Sequence, residues 1–133
     1  MKTLFLSLIL SLVFGGLVPT NAQSGQTVKV KIGKQKKESS SKLMIKFVSL
    51  VEDSRCAEGT RCVWAGNAKI KVSVKQGSDA AETFEMNTNL GAKGANHGPY
   101  AIYLTSLTPT PNANIRINRN AYTATFSISS LTR

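Results

Sequence analysis

The chain has 133 residues, 2 cysteines and a formal net charge of +10. That length holds one domain with a modest core and excludes two. The basic excess points to acidic partners, whether a protein patch, an anionic glycan or lipid surface, or nucleic acid, although many lysines alternate with apolar residues and so cover solvated strand faces.

Met1-Lys2 supplies a short positive start, and Leu4 to Val13 (LFLSLILSLV) is a nearly unbroken apolar run too short to span a bilayer with margin. Gly15-Gly16 and Pro19 follow, and Thr20 and Ala22 fit the −3 and −1 positions of a signal-peptidase site. No cysteine stands at that point, which argues against a lipoprotein anchor. Residues 1–22 are therefore predicted to be an export signal, and residues 23–133 a single mature domain of about 111 residues. No second long apolar segment follows, so no transmembrane segment is expected in the mature chain. The product should be secreted or periplasmic, with association at the cell surface left open.

Beyond residue 23 the hydrophobic pattern has a period of two. Val28, Val30 and Ile32 alternate with Lys29 and Lys31; Ile70, Val72 and Val74 alternate with Lys71, Ser73 and Lys75. Phe84 and Met86 flank Glu85, and Tyr100, Ile102 and Leu104 share a parity, as do Ala124, Phe126 and Ile128. Such spacing places apolar side chains on one face of a strand and polar ones on the other. Turn-prone clusters separate these segments at Ser39-Ser40-Ser41, Gln76 to Asp79, Gly91 to Gly98 and Pro109 to Asn114. Leu43 to Val51 differs in being apolar on both parities, which suits a strand covered on both sides or one whose outer face is a contact surface. The pattern predicts an all-β fold: one antiparallel β-barrel of about seven or eight short strands, up-and-down, with a Greek-key or OB-like barrel as the alternative.

Cys56 and Cys62 are expected to pair, since two thiols in an exported chain most simply form a disulfide. Closing so short a loop contributes roughly 2 kcal/mol in the chain-entropy model. Two cysteines and one distant histidine fall short of a four-ligand metal set, and the absence of a C-x-x-C spacing disfavours a redox pair. The enclosed residues are Ala57, Glu58, Gly59, Thr60 and Arg61, with Arg55 just outside. A cross-linked loop bearing arginines suits a peptidase-contact loop, because it loses little entropy on docking; the competing reading is a stapled turn with both arginines solvated. Glu52 and Asp53 can pair with Arg55 and hold the base of the loop. Trp64 is either a core anchor beside the disulfide, the expected outcome, or an exposed contact for a partner. Gly66 suggests a bulge or sharp bend on entry to the next strand.

The run Val51 to Ala68 (VEDSRCAEGTRCVWAGNA) resembles the signature of a family of small exported bacterial proteins, V-x-DSRCP followed after a few residues by C-x-WAGNA. Met86 to Leu90, the Y-x-I-x-L-x-x-L-x-P-x-P run from Tyr100 to Pro111, and Y-x-A-x-x-x-I from Tyr122 to Ile128 extend the likeness over nearly the whole mature chain. Some members are similar to the potempins, small β-barrel inhibitors of secreted peptidases. The resemblance implies a peptidase inhibitor that acts by tight protein–protein binding, with a secreted peptidase as its partner. Ala57 stands where the family pattern has Pro, which loosens the loop.

His97, the one histidine, lies in a glycine-rich stretch that a strand and not a helix follows, so it is read as a solvated loop residue and not as part of a phosphate cradle. No G-x-S-x-G context surrounds any serine, and no enzymatic activity or cofactor is expected. Lys34 to Ser41 and Gly91 to Gly98 are the next candidate contact loops. The chain should be a monomer. Two other functions remain open: a barrel holding a small apolar ligand, and a basic surface or adhesion module. Nucleic acid is not an expected partner, because no aromatic stripe runs among the lysines.

Overall fold

The computed structural model describes residues 25–131, so the export signal expected over 1–22 and its cleavage point lie outside the described residues. The strands in chain order are β1 (Gln26–Lys31), β2 (Gln35–Lys37), β3 (Leu43–Asp53), β4 (Ala68–Gln76), β5 (Glu82–Asn87), β6 (Gly94–His97), β7 (Tyr100–Thr108) and β8 (Thr123–Ser130), with a 3₁₀ turn at Arg119–Ala121 before β8. They form two antiparallel four-stranded sheets, ordered β1-β8-β7-β6 and β2-β3-β4-β5. Every paired neighbour is consecutive in sequence except β1 and β8, which is a meander order without a Greek-key crossover.

No ladder joins β1 to β2 or β5 to β6, so the strands make two sheets and not one continuous hydrogen-bonded cylinder. The physical reason lies in two corners. At the first, the Ile32 amide still donates to Tyr122 in the β8 sheet, while the next amide, Gly33, donates to Phe47 in the other sheet. Gly33 turns the chain there with φ of 76°, a conformation only glycine adopts without cost. At the second, adjacent carbonyls serve different sheets: Ala92 accepts from Asn87, and Lys93 accepts from Leu104. The seam between β5 and β6 is also spanned by side chains, His97 Nδ1 lying 2.9 Å from Glu82 Oε2.

The period-two pattern sets which residues lie between the sheets. Val28 and Val30, then Ile70, Val72 and Val74, then Ala124, Phe126 and Ile128 are buried, and the interleaved lysines and hydroxyl residues face outward. Phe47, Phe126, Leu43, Ile45, Ile70, Met86 and Ile102 are among the fully buried side chains, each worth about 1.5–3 kcal/mol of transfer free energy.

The double-parity run in β3 has its own cause. Leu43, Ile45 and Phe47 point inward, but the register slips between Phe47 and Ser49, so inward facing resumes at Leu50 opposite Ile70. A bulge inserts one residue and flips the phase of the residues after it, which makes a strand with one buried face read as apolar on both. Met44 and Val48 on the outer face are only half-buried.

Two expected loops are corrected. Gly91 to Gly98 contains strand β6, and His97 is buried at its end, not solvated, because β6 pairs with β7 and its ring turns to Glu82. Lys34 to Ser41 contains strand β2 and the buried Glu38 and Ser41. The Glu38 carboxylate accepts from the Ser40 and Ser41 amides and from both hydroxyls. Burial alone would raise its pKa, but these hydrogen bonds outweigh it and hold the group at about 2.

Candidate functional site

The β3–β4 connection extends beyond the sheet as a stem and a closed loop. Ser54 donates through its amide and its Oγ to the Asn67 carbonyl, at 2.7 and 2.9 Å, and the Cys56 amide donates to Ala65 at 2.9 Å. Between these rungs Gly66 sits at φ of 68°, the sharp bend its sequence position suggested. A Cβ there would meet the Ser54 carbonyl oxygen at 1.9 Å, so the two arms of the stem approach as closely as they do only because position 66 has no side chain.

Asn67 and Asn87 lock the stem to β5. Asn67 Nδ2 donates to Asn87 Oδ1 at 2.8 Å, while Asn67 Oδ1 accepts from the Asn89 and Leu90 amides, both at 3.0 Å. Asn87 Nδ2 donates in turn to the Ala92 carbonyl, and Asn89 Nδ2 to Gly66. In the sequence these asparagines stand out only as letters within the family-like runs. The available signal was their pairing within two short runs, G-N-A and N-T-N-L; nothing in either run alone shows that they meet.

The Cys56–Cys62 disulfide is formed, with a Cα–Cα distance of 5.9 Å. Inside it Thr60 turns back on Ala57, whose carbonyl accepts from the Thr60 amide at 3.2 Å and from its hydroxyl at 2.6 Å. Glu58 docks the loop onto the β7–β8 connection: its amide donates to Pro111 at 2.8 Å and its carbonyl accepts from Ala113 at 3.0 Å. The stretch from Pro109 to Asn118, whose first half the sequence marks as a turn, is therefore the platform on which the loop rests.

The two arginines of this region differ. Arg55 has a side chain only 13% exposed, and each of its three guanidinium nitrogens donates a hydrogen bond within the fold. Nε and Nη2 donate to Asp53 at 2.8 Å each, Nη1 to the Leu107 carbonyl at 2.6 Å and Nη2 to the Pro109 carbonyl at 2.8 Å. Tyr122, buried on entry to β8, donates its hydroxyl to Asp53 Oδ2 at 2.9 Å. Burial pushes the Asp53 carboxyl up, and the hydrogen bonds from Arg55 and Tyr122 together with the Arg55 charge bring it below its ordinary value. Burial and the neighbouring carboxylate both push the Tyr122 phenol up. Asp53 holds the base of the loop as expected, whereas Glu52 is exposed. Arg61, in contrast with Arg55, is exposed and has no partner among the described residues.

Glu58, Gly59 and Thr60 are exposed, while Ala57 is half-buried. Trp64 is 72% exposed and Val63 104% exposed, which corrects the expectation of a core indole beside the disulfide. The cause is the stem: its rungs end at Ala65, and the chain from Cys62 to Trp64 lies beyond them with no sheet above it. Ile115 on the platform is 65% exposed, and shallow grooves of about 340 and 450 Å³ flank the ridge formed by Asn112, Ile115 and Ile117. Among the described residues no group of three or more His, Cys, Asp or Glu side chains is placed to hold a metal ion, and no helix is long and apolar enough to cross a membrane.

Fold and site define a small disulfide-bonded protein of two antiparallel sheets that presents a braced, aromatic-tipped loop at one end. No protein-family model, curated protein or solved structure matches the chain.

Proposed function

We propose that the protein is an exported peptidase inhibitor that binds a secreted peptidase through the loop from Glu58 to Trp64. The observation that carries this reading is the exposure of Val63 and Trp64 on a loop already held by a disulfide, two stem rungs and the Glu58 contacts. Such a loop has little conformational entropy left to lose on docking. Tryptophan and arginine are the side chains that most often dominate binding energy at protein interfaces, and here Trp64 and Arg61 are both presented by one short segment. Arg55 is withdrawn from the candidate contacts because its donors are used internally.

The resemblance to the potempin-like family supports the same reading, and so does the export signal expected over residues 1–22 together with the disulfide. Under this proposal the two sheets are the halves of a flattened up-and-down barrel, open at the β1–β2 and β5–β6 seams. The ligand-carrier alternative has less support, because Phe47, Phe126, Ile70 and Met86 occupy the space between the sheets.

The test is inhibition of the peptidases secreted alongside the protein, with residues 23–133 added at micromolar concentration. Stoichiometric inhibition is expected, and Trp64→Ala should weaken it by about 2 kcal/mol or more. Inhibition that survives both Trp64→Ala and Arg61→Ala would move the contact elsewhere. No inhibition of any of these peptidases would end the proposal.

A further inference from the structure

None of the lysines among the described residues forms an ion pair; the close contacts of basic with acidic side chains there are Arg55–Asp53 and His97–Glu82. The fold therefore makes no use of lysine charge for its own pairing, and one place concentrates it. On the outer face of the β2–β5 sheet, Lys37 lies opposite Met44, which lies opposite Lys75 on the next strand. Lys46 lies two residues beyond Met44 on β3, and Lys42 leads into that strand. Lys37, Lys42 and Lys75 line a groove of about 200 Å³ with Met44, Gln35 and Gly77 as the other walls. No acidic residue lines it.

Acidic side chains offset the other end of the face, where Glu85 lies across from Lys71 and Glu52 across from Lys69. In the turns flanking the groove, Glu38 is folded back onto Ser40 and Ser41, and Asp79 is outside the lining. Lys42 has φ of 59°, in the left-handed region that glycine and asparagine enter more easily. A lysine thus occupies a position where the backbone alone favours other residues.

We propose that this face, centred on Lys37, Lys42, Lys46 and Lys75, binds a linear anionic polysaccharide through its sulfate or carboxylate groups. Lys37 and Lys75 flank Met44 on the strands either side of β3, about 9.6 Å apart, and Lys46 lies about 6.6 Å along β3 from Met44, spacings that let several ammonium groups meet successive charges of one extended chain. The large exposed apolar side chains, Trp64, Val63, Ile115, Tyr103, Leu90, Leu131 and Val51, are not at the groove, which favours a hydrophilic polyanion over a membrane surface. The groove has no aromatic wall on which a base would stack, which disfavours nucleic acid.

The test measures binding of residues 23–133 to dextran sulfate and to alginate at 0.15 M ionic strength (a Debye length of about 8 Å), with neutral dextran as the blank. The sulfated and the uronate polymer separate the two anion chemistries. The triple variant Lys37→Gln/Lys42→Gln/Lys75→Gln should bind about tenfold or more weakly, and Lys29→Gln/Lys31→Gln/Lys93→Gln, which removes the same charge elsewhere, should change binding by less than about threefold. Far-UV circular dichroism should be unchanged in both, because all six lysines are exposed. If the first triple fails to fold, Lys75→Gln alone carries the comparison, against Lys29→Gln. Equal weakening by both sets would reduce the effect to net charge and overturn the site. Binding to neither polymer, or equally tight binding to anionic lipid vesicles, would overturn it as well.

Discussion

The guanidinium of Arg55 meets a carboxylate on one side and two main-chain carbonyls on the other, so it closes the end of β3 onto the end of β7. Replacing it by alanine leaves the Asp53 carboxylate nearly buried with only Tyr122 as a side-chain donor. Arg55→Ala is expected to lower stability by about 3 kcal/mol, measured by urea unfolding at pH 7, because breaking a buried pair strands the remaining charge. A loss under about 1 kcal/mol would mean that the contacts are dispensable and would return Arg55 to the candidate contact residues. Glu38 provides a second test at this scale. Its folded pKa of about 2 lies below the ordinary 4.5, so its contribution is complete above about pH 4.5 and is lost as the pH falls toward 2. Glu38→Gln should therefore cost about 1–2 kcal/mol at pH 7, and the gap to wild type should close between pH 4.5 and 2. A gap independent of pH would show that the serine hydroxyls, and not the charge, carry the interaction.

At the scale of elements, the β3–β4 connection depends on one missing side chain. Gly66→Ala combines a positive φ with a Cβ placed against the Ser54 carbonyl, and backbone atoms cannot rotate away. The expected cost is about 2–4 kcal/mol, with the stem opened, Trp64 displaced and, under the proposed function, inhibition lost, whereas Gly77→Ala, at φ of 55° in open space, should cost only about 1 kcal/mol. Urea midpoints of the two variants decide the matter; equal costs would place the whole effect in φ. The strands themselves were legible in β1, β4 and β8, where lysine or hydroxyl residues alternate with apolar ones. They were less legible in β3, where the bulge reverses the phase, and in β6, whose Gly94-Ala95-Asn96-His97 carries no strand signal and pairs only because β7 offers its edge. The inward turn of His97 could not be read from its glycine-rich neighbourhood for the same reason.

For the whole molecule, two sheets sharing one core should unfold in a single transition, and far-UV circular dichroism should show β structure with little helix. Trp64 reports on the site rather than on the core. Its native fluorescence should be quenched by iodide nearly as strongly as in the unfolded chain, since the indole is 72% exposed. Strong shielding in the native state would contradict the exposed loop and remove the main support for the inhibitor proposal.

The sequence by itself determined the all-β class, most of the core-facing residues and the disulfide partners, because strand periodicity and an even cysteine count are local or compositional signals. Tertiary structure alone decided which arginine bonds internally and which stays exposed without a partner among the described residues. Arg55 and Arg61 are alike as sequence, and only the arrival of the Leu107 and Pro109 carbonyls from more than fifty residues away turns one into a structural clamp. The same holds for Trp64. Burial requires something above a side chain, and whether anything covers the tip of a loop is settled by where other strands end.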